Sequence, residues 1–286
     1  AAETHRPEYE TVAAFGGLLL NDNVESIICA TSICNEYGLD TLSVGATIAF
    51  AMECYEKGLI TKKDTDGVEL KWGDAKSIVR MIGKMARREG FGDVLADGVK
   101  IASEKIGKGS GQYAMHVGGQ ELPMLDPKLL TRHGHELGLL YLVDAAPGRH
   151  THSTGLDHAV QALGACTFMG WMAARAGGYD SLYSFLRAVT GWEMAKKDFL
   201  TVSNRIATLR QAFNVREGFK PTDFKLPDRV LGKPPHRSGP LKGMTLDLDP
   251  YVKEYFREMG WDCETGKPAR QKLKELGLED VIKDLY

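Results

Sequence analysis

The chain has 286 residues, 36 Lys plus Arg against 38 Asp plus Glu, and a formal net charge of −2. That balance argues against a nucleic-acid binder working through a basic field, and the apolar runs at Val12–Leu20 and Leu137–Val143 fall short of the ~20 residues a membrane span needs. At 43% apolar and 26% charged residues, the composition supplies a real hydrophobic core, in one large domain or two of roughly 150 residues.

The N-terminal third reads as punctuated helices. Asp22 with Glu25 three residues on suggests a capped start for a helix over 23–37, stopped by Gly38. Asp40 caps the next, Thr41 to Lys57, with Val44, Ile48, Ala51, Met52 and Tyr55 on one face. An Asp66-Gly67 turn precedes a short strand. Asp74 then starts a helix whose stripe is Ile78, Met81, Ile82 and Met85, and another runs from Asp93 to Ile106. The glycine-rich Gly107–Gly111 marks a domain boundary. Beyond it, 113–126 is extended, Glu136–Val143 is buried, and helices resume over 159–174, 181–189, 193–213 and 250–259. The five prolines of Pro221–Pro240 describe an extended arm. The fold class is mainly α, in two helical domains, 1–112 and 113–286.

Five of the eight histidines lie between His133 and His158. His133, His135, His150 and His152 form two His-x-His pairs, with Glu136, Asp144 and Asp157 nearby. One reading is a metal-dependent hydrolase on this loop; the plainer one is surface and core histidines. The segment Arg6-Pro7-Glu8-Tyr9-Glu10-Thr11 sets two carboxylates against an apolar stretch, where a general base or a solvated ion pair are both open. The five cysteines, an odd and scattered set without a Cys-x-x-Cys pair, make no disulfide scaffold and point to the cytoplasm. Cys29 and Cys34 fall on different faces of their helix.

In collinear order, Arg6 to Thr11, Cys34-Asn35-Glu36-Tyr37-Gly38-Leu39-Asp40-Thr41, Gly119-Gln120-Glu121-Leu122-Pro123 with Asp126-Pro127, Pro147-Gly148-Arg149-His150-Thr151, Phe213-Asn214-Val215-Arg216 and Leu226-Pro227-Asp228-Arg229 resemble the tungsten-containing aldehyde ferredoxin oxidoreductase family. The resemblance runs from residue 6 to about residue 280 and covers the family's two C-terminal helical domains. It implies a tungsten (or molybdenum) bis-pterin centre, cradled against an N-terminal pterin-binding domain. The family's two Asp-x-x-Gly-Leu-(Cys/Asp) loops, one per pterin, map onto Asn35, Gly38, Leu39 and Asp40, and onto Gln161, Gly164, Ala165 and Cys166. Asn35 and Gln161 stand where the family has Asp.

The resemblance makes Cys166 one ligand of a 4Fe-4S cluster whose other three cysteines lie upstream of Ala1. The chain is then expected to be either the helical half of a protein about twice as long, inactive by itself, or a variant that has lost its cluster, and the missing initiator Met favours the first. Glu10 matches the family's active-site glutamate, as general base, and His150 its active-site histidine. The implied reaction oxidises a small aldehyde to a carboxylic acid, with electrons passing to ferredoxin or another carrier. Neither nucleic acid nor membrane is an implied partner, and a homo-oligomer is compatible with the reading. A non-catalytic helical interaction module is the third reading, from a different class.

Overall fold

Short polar side chains set the helix starts of the N-terminal third. Asn23 accepts from Ser26 N at 2.8 Å, Asp40 from Ser43 N at 2.8 Å and Asp74 from Lys76 N at 3.2 Å. Each satisfies an amide that the first helical turn leaves without an internal acceptor. The computed structural model describes residues 4–129, 134–150, 156–176 and 178–286. Its helices are α1 (Tyr9–Val12), α2 (Val24–Tyr37), α3 (Thr41–Glu56), α4 (Ala75–Arg87), α5 (Phe91–Leu95), α6 (Gly98–Ile106), α7 (Gly134–Val143), α8 (Asp157–Ala162), α9 (Thr167–Arg175), α10 (Asp180–Thr190), α11 (Lys196–Arg216), α12 (Asp228–Leu231), α13 (Asp249–Met259), α14 (Arg270–Glu275) and α15 (Ile282–Leu285). Two short strands, β1 (His116–Val117) and β2 (Gln120–Glu121), pair antiparallel. The chain is mainly α, and none of its described helices is long and apolar enough to cross a membrane.

Several local expectations are corrected by the structure. Asn23, not Asp22, caps α2, because its side chain is the one in register with Ser26 N. The helix expected over 93–106 is two helices, α5 and α6, broken before Gly98, whose φ is +85°. Glu121 explains the break: its Oε1 accepts Val99 N at 2.7 Å, and a Cβ on Gly98 would come within 2.5 Å of that oxygen. A carboxylate from β2 thus caps α6 where sequence periodicity saw continuity. The helix expected over 159–174 is likewise divided, into α8 and α9, at Gly164 with φ +73°. Residues 68–70 form no strand; Val68 and Leu70 are buried in plain coil. The proline-rich arm is only partly extended, since it holds a 3-10 turn at Pro221–Asp223 as well as α12.

Two compact units result, residues 1–131 with 226–245, and residues 132–225 with 246–286. The first has a large core in which Phe15, Leu19, Ile48, Met52, Ile78, Met81, Ile82 and Leu95 are fully buried. The α4 stripe read from the sequence is buried there as a face, as 3.6-residue periodicity requires. Gly107–Gly111 lies inside this unit, because the β1–β2 hairpin beyond it is anchored to α6 through Glu121. Among its described residues the second unit gathers smaller clusters. One gathers Leu156, Val160, Leu182, Leu186 and Phe199; another Val143, Phe256, Met259 and Trp261; the third Ala212, Leu273, Leu276 and Leu285.

Buried charge closes the first unit. The Lys128 side chain is fully buried, 3.0 Å from Asp126, and donates to the backbone carbonyls of Arg229 and Val230. An ammonium inside a core needs such partners, because desolvation otherwise costs several kcal/mol.

Candidate active site

Glu10 is held by its neighbours before any cofactor is considered. It lies in α1, which is a single turn capped by Glu8, whose Oε2 accepts Glu10 N at 2.8 Å. The chain then widens into a π turn, Ala13–Gly17, with Leu18 N bonded to Ala13 O at 2.9 Å and Asn21 N to Gly16 O at 3.0 Å. Such turns are uncommon and recur at functional sites. Glu10 is only 4% exposed, and its Oε2 accepts the backbone amide of Met124 at 3.4 Å across 114 residues of sequence. Two of the segments that carry the family resemblance, Arg6 to Thr11 and the stretch after Gly119, therefore meet at this carboxylate. The Tyr9 phenol beside it is pushed upward, by burial first and then by Glu10 and Glu8.

A second connection ties α1 to the first candidate pterin loop. Thr11 Oγ1 lies 2.7 Å from Thr41 Oγ1, at the start of α3, immediately after Asp40. Alongside, Gly45 of α3 packs so closely on the π turn that a Cβ there would sit 2.8 Å from Ala14 Cβ. Neither threonine was singled out as a site residue from the sequence, although both stand inside the motifs that carry the resemblance.

The two candidate loops share one backbone design. In the first, Gly38 ends α2 with φ +68°, Leu39 N returns to Cys34 O at 2.8 Å, and Asp40 opens α3 in an extended conformation. In the second, Gly164 has φ +73°, Ala165 N returns to Val160 O at 3.2 Å, and Cys166 opens α9, also extended. Leu39 packs on the core of the first unit and Ala165 on a cluster of the second. Both turns are helix endings of the Schellman kind, in which the left-handed residue is normally Gly. A Cβ built on either Gly38 or Gly164 meets nothing within 4 Å. Each turn thus presents bare backbone to open space beside a helix N-terminus, a surface suited to a polar, anionic ring system.

The residues that flank these glycines differ in their local roles. Asn35 and Asp40 are exposed, and Asp40 is engaged as the α3 cap. Gln161 donates to Thr167 Oγ1 at 2.9 Å, bracing the second turn from within. Cys166 is exposed and makes no side-chain cap to α9. Donor chemistry and access both fit a metal-cluster ligand there, and the paired glycine turns fit a pterin on each.

His150 is half-buried at the end of the 144–150 loop, in the second unit, whereas Glu10 is in the first. His133 and His152 lie outside the described residues. Of the other histidines in this stretch, His135 stacks on Tyr251 at 4.5 Å and His158 is buried in α8. Among the described residues, no group of three or more His, Cys, Asp or Glu is placed to hold a metal ion. The buried charge of this region is structural: Asp144 is 3.1 Å from Arg210 and also accepts Ala146 N at 2.7 Å.

Comparison with known proteins gives a consistent result. The family model for aldehyde ferredoxin oxidoreductase, domains 2 and 3, matches residues 1–159 and 152–278. The tungsten-containing aldehyde ferredoxin oxidoreductase of Pyrococcus abyssi is 33% identical over 98% of this chain and 50% of its own length. The aliphatic sulfonate oxidoreductase, WOR-like subunit, of Pyrococcus furiosus is 28% identical over 98% of this chain and 47% of that protein. Among solved structures, the active-site complex BamBC of benzoyl coenzyme A reductase, in complex with 1,5-dienoyl-CoA, has the same fold. It aligns at TM-score 0.70 and 20% identity over 96% of this chain and 49% of that one. The chain spans about half the length of the curated relatives it matches. On this evidence the chain belongs to the aldehyde ferredoxin oxidoreductase family of oxidoreductases, matching its domains 2 and 3.

Proposed function

We propose that this chain is the catalytic C-terminal part of a tungsten or molybdenum bis-pterin enzyme that oxidises an aldehyde to a carboxylic acid. The observation that carries the proposal is the buried Glu10 carboxylate, fixed by Met124 N and tied through Thr11 to the first glycine turn. When bound, the metal–pterin group supplies a Lewis-acidic, two-electron redox centre. Aldehyde and water yield acid, two protons and two electrons, and ferredoxin or another one-electron carrier is the acceptor.

This chain's own residues have narrower tasks. Glu10, shielded from solvent, takes a proton as water adds to the carbonyl carbon; a carboxylate is the right type of base once its position is fixed. His150 hydrogen-bonds the substrate oxygen. The amides around Gly38 and Gly164 hold the two pterins, and Cys166 provides one thiolate to a 4Fe-4S cluster whose remaining ligands come from the N-terminal part of the protein. That N-terminal part is also the partner that completes the pterin site.

The test is elemental analysis of the anaerobically purified full-length protein, together with Glu10→Gln. Tungsten or molybdenum with about four irons per chain is expected, and Glu10→Gln is expected to keep the metal while losing about 100-fold or more in kcat. Zinc in place of these metals would sink the reading, and unchanged turnover would remove Glu10 from it.

A further inference from the structure

The Phe213-Asn214-Val215-Arg216 segment is given no task by the proposed reaction, yet it touches the loop that ends at His150. That loop leaves α7 at Val143, and Asn214 Nδ2 donates to the carbonyl of Ala145 at 2.8 Å across 69 residues of sequence. The bond ties one segment that carries the family resemblance to the approach to another, Pro147 to His150. Asn214 stands near the end of α11, a helix of 21 residues. A side chain on an element of that length is held more precisely than one on a loop.

Arg210 completes the attachment. It lies four residues before Asn214, on the same face of α11, and 3.1 Å from Asp144, which follows the end of α7. Asp144 also accepts Ala146 N at 2.7 Å. Asp144, Ala145 and Ala146, where the loop begins, are thus fixed on one face of one helix. Gly148, with φ +73°, then turns the chain, and its amide donates to Tyr141 O at 2.9 Å. His150 follows two residues on. Helix α8, to which the chain runs after His150, packs on α11 as well, so both ends of the loop are referred to the same helix. Ala145, Arg210 and Asn214 also border an open cavity of about 470 Å³. Where a cavity stands beside the loop, a hydrogen bond rather than close packing has to set its place.

We infer that Asn214 is a positioning residue for His150: by holding the Ala145 carbonyl it fixes the loop on which the histidine meets the substrate oxygen. The inference rests on the reading of His150 as a hydrogen-bonding partner of the substrate, and adds the residue through which α11 controls its aim. Misplacing a reacting group by ~1 Å can cost about 100-fold in rate. Arg210 acts in the same direction but is the poorer probe, because its removal leaves the buried Asp144 carboxylate uncompensated. Loss of the Asn214 amide strands one backbone carbonyl at the wall of an open cavity, where water can replace the donor.

The test is a pair of measurements on the full-length, metal-loaded protein carrying Asn214→Leu, with Asn214→Ala as a smaller second variant. Hydrogen–deuterium exchange, read by mass spectrometry on peptides covering residues 144–150, is expected to quicken by about tenfold at the Ala146 and Gly148 amides, while exchange in the first unit stays as in wild type. Turnover is expected to fall by about tenfold at unchanged metal content. In a His150→Gln background the same substitution is expected to change the residual kcat by less than about twofold, since a residue that acts only through His150 has nothing left to position. Unaltered loop exchange in both folded variants overturns the anchor. A full loss repeated in the His150→Gln background overturns the positioning role. The reading of His150 fails separately: wild-type turnover in His150→Gln defeats that assignment, and loop exchange then still decides whether Asn214 holds the loop.

Discussion

Thr11 and Thr41 meet through their hydroxyls, Oγ1 to Oγ1 at 2.7 Å, although 30 residues separate them. The bond joins the one-turn helix of Glu10 to the helix that begins at the first glycine loop. Thr11 is buried, so removing its partner leaves a hydroxyl without a replacement from water. Thr41→Val is therefore expected to lose about 1–2 kcal/mol of stability. It is also expected to lower kcat/KM by severalfold at undiminished tungsten content, because the carboxylate loses its positioning. Thr41→Ser should restore most of both. Denaturant unfolding and steady-state kinetics on the same preparations decide it; equal kinetics for Val and wild type would make the bond merely structural.

Two glycines within thirty residues should respond oppositely to the same change. Gly45→Ala drives a methyl to 2.8 Å from Ala14 Cβ and 3.0 Å from Ala14 O, an overpacking that costs about 1–3 kcal/mol. Gly17→Ala meets open space and should fall within about 0.5 kcal/mol of wild type, or stabilise slightly by restricting the unfolded chain. Urea midpoints of the two variants provide the comparison.

The cysteines should separate by environment. Burial pushes the Cys34 thiol up to about 12, with Asp40 adding to it, and does the same to Cys54, with Glu53 adding. Thiolate is the reactive form. Iodoacetamide at pH 8 is accordingly expected to label exposed Cys29 in native protein and to leave Cys34 and Cys54 unmodified until denaturation. Mass spectrometry of tryptic peptides reads this directly, and native labelling of Cys34 equal to Cys29 would contradict the packing.

His116 makes the hairpin sensitive to acid. Burial, then Lys100, lowers its pKa below the ordinary value near 6.5, and its Nδ1 accepts Gly119 N at 3.2 Å. The unfolded chain takes up a proton through ~6.5 that the folded chain resists, so its stabilising share is intact above that pH. It is lost as pH falls through the depressed folded value. His116→Gln should flatten the pH dependence of stability below about pH 6.5. An undiminished slope in that variant would assign the acid sensitivity to other groups.

Much of this architecture was legible in the sequence, and the misses have a common cause. Capped, strongly periodic segments such as α3 and α4 were read with their ends nearly in place, because Asp40 and Asp74 act locally on their own helices. The α5–α6 break was missed because its cause, the Glu121 carboxylate, lies 22 residues downstream of the amide it caps. The α8–α9 break was missed by periodicity alone, which runs through Gly164, yet the family motif had already placed a loop there. At the candidate site, the resemblance pointed to Glu10 as a candidate base and to both glycine turns, whose backbone the structure shows. It gave no sign of the Met124 amide, since a backbone donor has no residue type to betray it.

The Lys128 latch sets the order in which the molecule can be completed during its own synthesis. The carbonyl of Val230 that it needs is 102 residues further along the chain. The first unit is therefore mostly translated early but closed late, after all of residues 132–225 have left the ribosome. Until then an ammonium destined for full burial stays hydrated, and the segment around Asp126 and Lys128 has no partner strand of chain to settle against. A nascent chain stalled before residue 226 would hold the helices around Glu10 yet lack the two carbonyls that take the Lys128 ammonium.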